Sequence, residues 1–264
     1  MKVVIKHCSF IFLIPAFLLL PGCSDKSVNN DTWFEYSERV NGSDVIPDSL
    51  KKIFITNQIG VISLNGTNSA SAVSFLLDRT VRVTSQSLAR TEFEKIILLS
   101  NHYKDSVFYS IESPSGDYNF YRCNLTLFIP YIANVYMNKP NRGIFTTNLE
   151  SDLFAESESG DCNIEQHTGS VEVHTGTGNI NAVIDIPETG FCKCYSETGD
   201  ITIKIPTGIS AIVNIKTVSG SISIKNLNVN YSINTSTSKT GNLGNGEATI
   251  YLESKKGKIT LEGM

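Results

Sequence analysis

Five turn-strand units of one kind recur in the C-terminal part of the chain, and their spacing limits what it can fold into. They read Gly178-Asn179-Ile180, Gly199-Asp200-Ile201-Thr202-Ile203, Gly220-Ser221-Ile222-Ser223-Ile224, Gly241-Asn242-Leu243 and Gly257-Lys258-Ile259-Thr260-Leu261. Glycines 178, 199, 220 and 241 stand 21 residues apart, and upstream Gly160, Gly169 and Gly178 stand 9 apart. A fixed period of this size points to stacked coils. Glycine supplies the backbone angles of a tight turn. The Ser or Thr before it (Ser159, Thr168, Thr177, Thr198, Ser219, Thr240) can hydrogen-bond the turn backbone. After Gly199, residues Ile201, Ile203 and Ile205 face one way while Thr202 and Lys204 face the other, the period of a strand with one buried face.

A second mark lies between the glycines. Ile129-Pro130, Ile186-Pro187 and Ile205-Pro206 each close an apolar strand, with Gly143, Gly199 and Gly220 following 13, 12 and 14 residues later. Proline lacks an N–H and belongs at strand ends or edges. The N-terminal half keeps the plan at lower fidelity: Ile53-Phe54-Ile55 leads to Gly60-Val61-Ile62-Ser63-Leu64, and Leu125, Leu127 and Ile129 alternate before Gly143-Ile144-Phe145. Val81–Val83, Ile96–Leu99 and Val107–Ile111 read as longer strands, and 86–95 as a short helix or a loop. Abundant Thr, Ser, Asn, Gly and Ile is strand-and-turn composition, and no helical periodicity of useful length occurs. The expected class is all-β.

The run from Gly160 to Leu261, with its Ser/Thr-Gly-Asp/Ser-Ile-x-Ile turns, resembles the bacterial candidate-adhesin family of β-strand-repeat domains of unknown function. Leu125–Ile129, Pro130 and Gly143 fit that family's middle section, so the resemblance covers roughly residues 45–264. It implies a single-stranded right-handed β-solenoid, or β-helix-like repeat domain. The motif consists of turn glycines and core aliphatics, so it brings no active-site residues. Two departures are Cys192-Lys193-Cys194 within a strand, and 225–240, where Asn and Thr replace core aliphatics.

The chain begins with Lys2 and Lys6, then an apolar stretch from Ser9 to Leu20, too short to span a bilayer, which needs ~20 residues. It closes in Leu20-Pro21-Gly22-Cys23, which resembles the bacterial lipobox. That resemblance implies cleavage before Cys23 and attachment of diacylglycerol and palmitate, and Ser24 favours sorting to the outer membrane, periplasmic or surface-exposed. The expected organisation is a signal peptide at 1–22, a lipidated Cys23 with tether to residue 44, and a β-strand-repeat domain over 45–264. Loss of 1–22 moves the formal charge from −4 to −6, which argues against nucleic acid as a partner.

Four further cysteines, Cys123, Cys162, Cys192 and Cys194, can pair as disulfides or stay as buried free thiols; three pairings exist and spacing does not choose among them. No second Cys-x₂-Cys accompanies 192–194, so no metal site is expected there. His167 and His174 precede adjacent turns and are read as polar surface rather than metal ligands, despite Asp161, Glu165 and Glu172 nearby. Asp161, Asp185 and Asp200 invite a carboxylate-pair reading, but Ser170, Asn179, Ser221 and Lys258 fill the slot of Asp161 and Asp200 in other units, so the slot needs turn chemistry rather than charge. Nucleophile-elbow, zincin, phosphate-loop and dinucleotide motifs are absent. No cofactor and no enzymatic activity are expected. Asn179, Asn181, Thr202, Ser221, Ser223 and Thr260 should form a hydroxyl- and amide-rich outer face. The functional expectation is a lipid-anchored envelope scaffold, adhesin-like, with an unassigned glycan or protein ligand. The alternative is an envelope assembly component that self-associates through solenoid ends, the strand at Lys258–Leu261 being an uncapped edge.

Overall fold

A segment with one apolar face must cover it, and a turn at each end lets the next segment supply the cover. The chain repeats that step. The computed structural model describes residues 2–4, 32–68, 71–115, 117, 119–138 and 142–264. In chain order its strands are β1 (Lys2–Val4), β2 (Phe34–Val45), β3 (Lys52–Thr56), β4 (Ile62–Thr67) and β5 (Ala72–Val83), then helix α1 (Gln86–Phe93). There follow β6 (Ile97–His102), β7 (Ser106–Glu112), β8 (Tyr121–Pro130), β9 (Asn134–Asn138), β10 (Ile144–Thr147), β11 (Leu153–Ser159), β12 (Cys162–Thr168), β13 (Val171–Thr177) and β14 (Ile180–Asp185). The remainder are β15 (Phe191–Thr198), β16 (Ile201–Ile205), β17 (Ala211–Ser219), β18 (Ile222–Lys225), β19 (Asn230–Asn234), β20 (Ser238–Leu243), β21 (Ala248–Lys256) and β22 (Ile259–Gly263).

Each coil gives one strand to each of two sheets. The twelve-stranded sheet runs β1-β6-β7-β3-β9-β11-β13-β15-β21-β17-β20-β19, and the ten-stranded sheet β18-β22-β16-β14-β12-β10-β4-β8-β5-β2. The coil strands pair in parallel, as in a β-solenoid, and antiparallel strands close the ends. The two inner faces form one continuous core from Ile46 to Leu261. Ile201, Ile203 and Ile205 are fully buried there, each contributing roughly 1.5–3 kcal/mol, while Lys204 points to solvent. Segment 86–95 is helical over Gln86–Phe93: Ser85 Oγ accepts the Leu88 N–H, and Ala89 and Phe93 are buried.

The coils do not stack in the order in which they are made. Strand β21 lies between β15 and β17, and β22 between β16 and β18, so the coil written last sits inside the stack. The other end repeats the device: β3 and β4 lie between the later pair β7 and β8 and the still later pair β9 and β10.

The turn glycines report this order. A side-chain carbon on Gly178 would lie 2.2 Å from Gly160 O, one on Gly199 2.0 Å from Gly178 O, one on Gly257 2.0 Å from Gly199 O, and one on Gly220 2.0 Å from Gly257 O. Backbones at this corner pack too closely for any other residue. Two expectations are corrected here. Gly241 is no coil turn; it lies within β20, antiparallel to β17 and against the Asn230 carbonyl of β19. The strand after Lys258 is no open edge, since β16 and β18 flank it. The weak segment 225–240 supplies the exposed β19 and its turn into β20, which cap the twelve-stranded sheet. Strand β2 pairs along its whole length with β5, so the described fold begins within the segment assigned to the tether. Of the segment read from the sequence as a signal peptide, all but Lys2–Val4 lies outside the described residues, as does Cys23.

Candidate functional site: an aromatic-edged groove on the twelve-stranded sheet

In a parallel stack, residues in register form a row along the solenoid, one strand spacing apart. On the outer face of the twelve-stranded sheet one row is aromatic: Phe108 on β7, Phe54 on β3, Tyr136 on β9 and Phe154 on β11. Their rings stack with centroids 4.3, 4.7 and 4.9 Å apart and planes within 6°, 16° and 2° of parallel. Tyr103 meets Phe108 edge-on at 5.2 Å, and Phe191 tilts against Phe154 at 6.2 Å. Each stacked pair is worth about 0.5–1.5 kcal/mol beyond its buried area. Because the rings cover one another's faces, they offer solvent their electropositive edges.

Beside the rings runs an open groove of about 640 Å³. The row of aromatics forms one wall, and Thr56, Asn138, Glu156 and His174 form the polar side. At one end the aromatic row passes into Glu172, Lys193 and Tyr251. His174 Nε2 lies 3.3 Å from Glu172 Oε1, and Lys193 Nζ lies 3.6 Å from Glu172 Oε2. An apolar wall facing a few convergent polar groups is the usual make-up of a ligand groove. Sequence reasoning missed this site. Its signal is an aromatic between two core residues, in Ile53-Phe54-Ile55, Val107-Phe108-Tyr109, Val135-Tyr136-Met137 and Leu153-Phe154-Ala155.

The residues singled out from the sequence fall in several places. Asn181, Thr202, Thr260 and Ser223 do share a row on the ten-stranded sheet, where Asn181 Nδ2 donates to Asn163 Oδ1 at 3.1 Å. Thr260 is nearly buried, however, and Asn179 and Ser221 belong to the turns. The turn acids form a ladder of their own: the Asn179 N–H donates to Asp161 Oδ1 (2.8 Å), the Asp200 N–H to Asn179 Oδ1 (2.8 Å), and the Lys258 N–H to Asp200 Oδ1 (2.7 Å). Asp161 and Asp200 therefore satisfy backbone donors. Asp185 ends β14 on the exposed side, where its carbonyl accepts the Gly169 N–H.

His174 is exposed, as expected, but His167 is not. The β12–β14 register shifts between Ile164 and His167, and Gln166 adopts φ 50°. This extra residue turns His167 inward, to 2% exposure. Neither ring nitrogen makes a hydrogen bond of good geometry among the described residues. Burial pushes the imidazole pKa down to about 4, opposed weakly by the Ser170 backbone and Asp152.

Cys123, Cys162, Cys192 and Cys194 are buried free thiols. Cys192 and Cys194 alternate with Lys193 on one strand, with sulfurs 3.9 Å apart against about 2.05 Å for a disulfide. Burial pushes Cys123 and Cys162 up to about 12. Among the described residues no group of three or more His, Cys, Asp or Glu could hold a metal ion.

One polar cluster lies at the N-terminal end. Asp44 Oδ2 accepts from Ser100 Oγ and Tyr109 Oη (2.9 Å) and lies 2.8 Å from His102 Nε2. Ser100 Oγ meets the same His102 nitrogen at 2.8 Å. A Ser-His-Asp relay needs the two imidazole nitrogens to serve different partners, and its serine must be reachable. Here one nitrogen serves both and Ser100 is fully buried. The cluster instead ties β2 of one sheet to β6 and β7 of the other.

The geometry defines a two-sheeted β-solenoid carrying an external groove. Residues 143–262 match the family model Toastrack DUF4097. No curated protein matches the chain significantly. A solved candidate cell adhesion protein from Clostridium sporogenes is 12% identical, with 86% of this chain and 100% of that chain covered at a TM-score of 0.52. A candidate adhesin from Bacteroides fragilis is 14% identical over 86% and 97%, with a TM-score of 0.40. At this identity the former likeness speaks to fold alone.

Proposed function

We propose that the chain is a lipid-anchored scaffold of the cell envelope, adhesin-like and non-catalytic, which binds its ligand along the aromatic-edged groove. The observation that carries this reading is the groove: four in-register aromatics along one wall and Glu156, Glu172 and His174 gathered at one end. The acylated residue is Cys23, and the anchor holds the domain at the outer membrane. The name given to the Clostridium protein is in keeping with adhesion. Binding of glycans and envelope proteins by the wild-type chain and by Tyr136→Ala and His174→Ala variants tests the groove. A ligand lost in both variants supports the reading; a ligand held equally well by both overturns it. Protease shaving of intact cells, with an epitope near Asn245, separates a surface role from a periplasmic one.

A second reading, self-association through solenoid ends, is favoured by one observation. Strand β18 ends the ten-stranded sheet, and among the described residues no further strand pairs with its outer side, where the Ile222 N–H reaches the Ser236 carbonyl at 3.3 Å. Concentration-dependent light scattering would establish it in place of the first if abolished by Ile224→Pro, at a position whose N–H faces away from β22.

A further inference from the structure

We propose that the N-terminal end of the solenoid carries a face that docks on a lipid bilayer. Trp33, Phe120 and Leu88 frame a shallow depression of about 260 Å³ together with Arg82, Glu92 and Tyr121. The Trp33 and Phe120 rings meet edge-on at 5.1 Å. Trp33, its neighbour Phe34 and Leu88 are 43%, 48% and 47% exposed, all large apolar side chains left in water at one end of the molecule. Tryptophan with a polar ring nitrogen and an apolar body suits the headgroup boundary of a membrane.

Three further observations choose a bilayer as the occupant. The first is reach: Trp33 stands ten residues after Cys23, at most about 35 Å of extended chain, so an anchor there brings this end to the membrane before any other. The second is charge. Segments 32–36, 82–95 and 120–122 contain four cations, Arg82, Arg90, Lys95 and Arg122, against three acids, Glu35, Glu92 and Glu94, and Asp31 just before them in sequence makes the sum even. This end is therefore close to neutral in a chain of net −4 and escapes the repulsion that an anionic lipid surface exerts on the rest. The third is arginine placement. Five arginines, Arg39, Arg79, Arg82, Arg90 and Arg122, lie on β2, β5, α1 and β8, which build this end. Arg82 and Arg90 form no ion pair among the described residues, which leaves both free for phosphate. The proposal takes its direction from the lipid-anchor reading.

Trp33 is the one tryptophan of the chain, so its fluorescence reports this face and nothing else. The test uses residues 24–264, which keep every side chain of the core and lack the acylation site, so the result does not depend on the anchor. Vesicles of phosphatidylethanolamine and phosphatidylglycerol should shift Trp33 emission to the blue, and brominated acyl chains should quench it. Leu88→Asp should weaken partitioning by at least roughly tenfold, from loss of one buried leucine. An acid in the first turn of α1 favours the helix, and circular dichroism confirms that the variant folds. Arg82→Glu should weaken binding further as phosphatidylglycerol is raised. Emission unchanged at saturating lipid overturns the proposal. A blue shift kept in full by Leu88→Asp overturns it too, since Trp33 would then insert without the face. A shift that follows protein concentration without lipid assigns the face to a second copy and also overturns it.

Discussion

His167 should make the fold acid-sensitive through a single side chain. Its ring is buried, and its pKa falls from 6.5 to about 4 because burial disfavours the charged form. Between those values the unfolded chain takes up a proton and the folded chain does not. The stability that the neutral ring permits is therefore complete above pH 6.5 and is lost as the pH falls toward 4. Linkage gives a loss of about 2 kcal/mol between pH 7.5 and 5, and about 3 kcal/mol below pH 4. Urea denaturation of the wild type and of His167→Leu at both pH values isolates this contribution, because all other titrating groups are shared. The wild type should lose about 2 kcal/mol more than the variant over that interval. Equal losses would refute the argument, and would mean that the bulge at Gln166 relaxes to expose the ring.

Other consequences can be measured on the same preparation. Asp200→Ala leaves the Lys258 N–H without its acceptor in the turn ladder and should cost about 1 kcal/mol in urea denaturation, whereas Asp200→Asn, which keeps the oxygen, should cost less. Asp44→Ala takes the acceptor from the buried Tyr109 hydroxyl and leaves Ser100 and His102 only each other, and should cost on the order of 2 kcal/mol, read as a lowered thermal midpoint. Burial holds the Cys123 and Cys162 thiols at about 12, so a thiol reagent at about pH 8 should label neither until denaturant is added. Labelling in the native state would mean that the coil opens locally.

Much of the coil was legible because turn glycine, strand alternation and closing proline act within a few residues. Ile201, Ile203 and Ile205 declare their face by spacing alone, and Pro130, Pro187 and Pro206 stand where strands of the ten-stranded sheet turn back. What stayed hidden depends on partners far away in sequence. The spacing of Gly199 and Gly220 implied neighbouring coils, yet Gly257 separates them. His167 reads as surface until one extra residue at Gln166 reverses the alternation. The aromatic row is invisible as a row, because Phe108, Phe54, Tyr136 and Phe154 are not in stacking order along the chain.

The displaced coil changes what the last stretch of sequence is worth. In an array whose units add one after another, trimming the final unit shortens the rod and leaves the rest standing. Here the missing piece would be a keystone. Without residues 248–263, β15 and β17 lose their common neighbour, as do β16 and β18, and a slot opens through both walls. As the chain is synthesised, β17 can pair with β20, but the segment 211–225 has no strand pairing to the coils already made until 248–263 emerges and slides between them. A short deletion there should act like removal of the whole domain's cohesion rather than like erosion from one end.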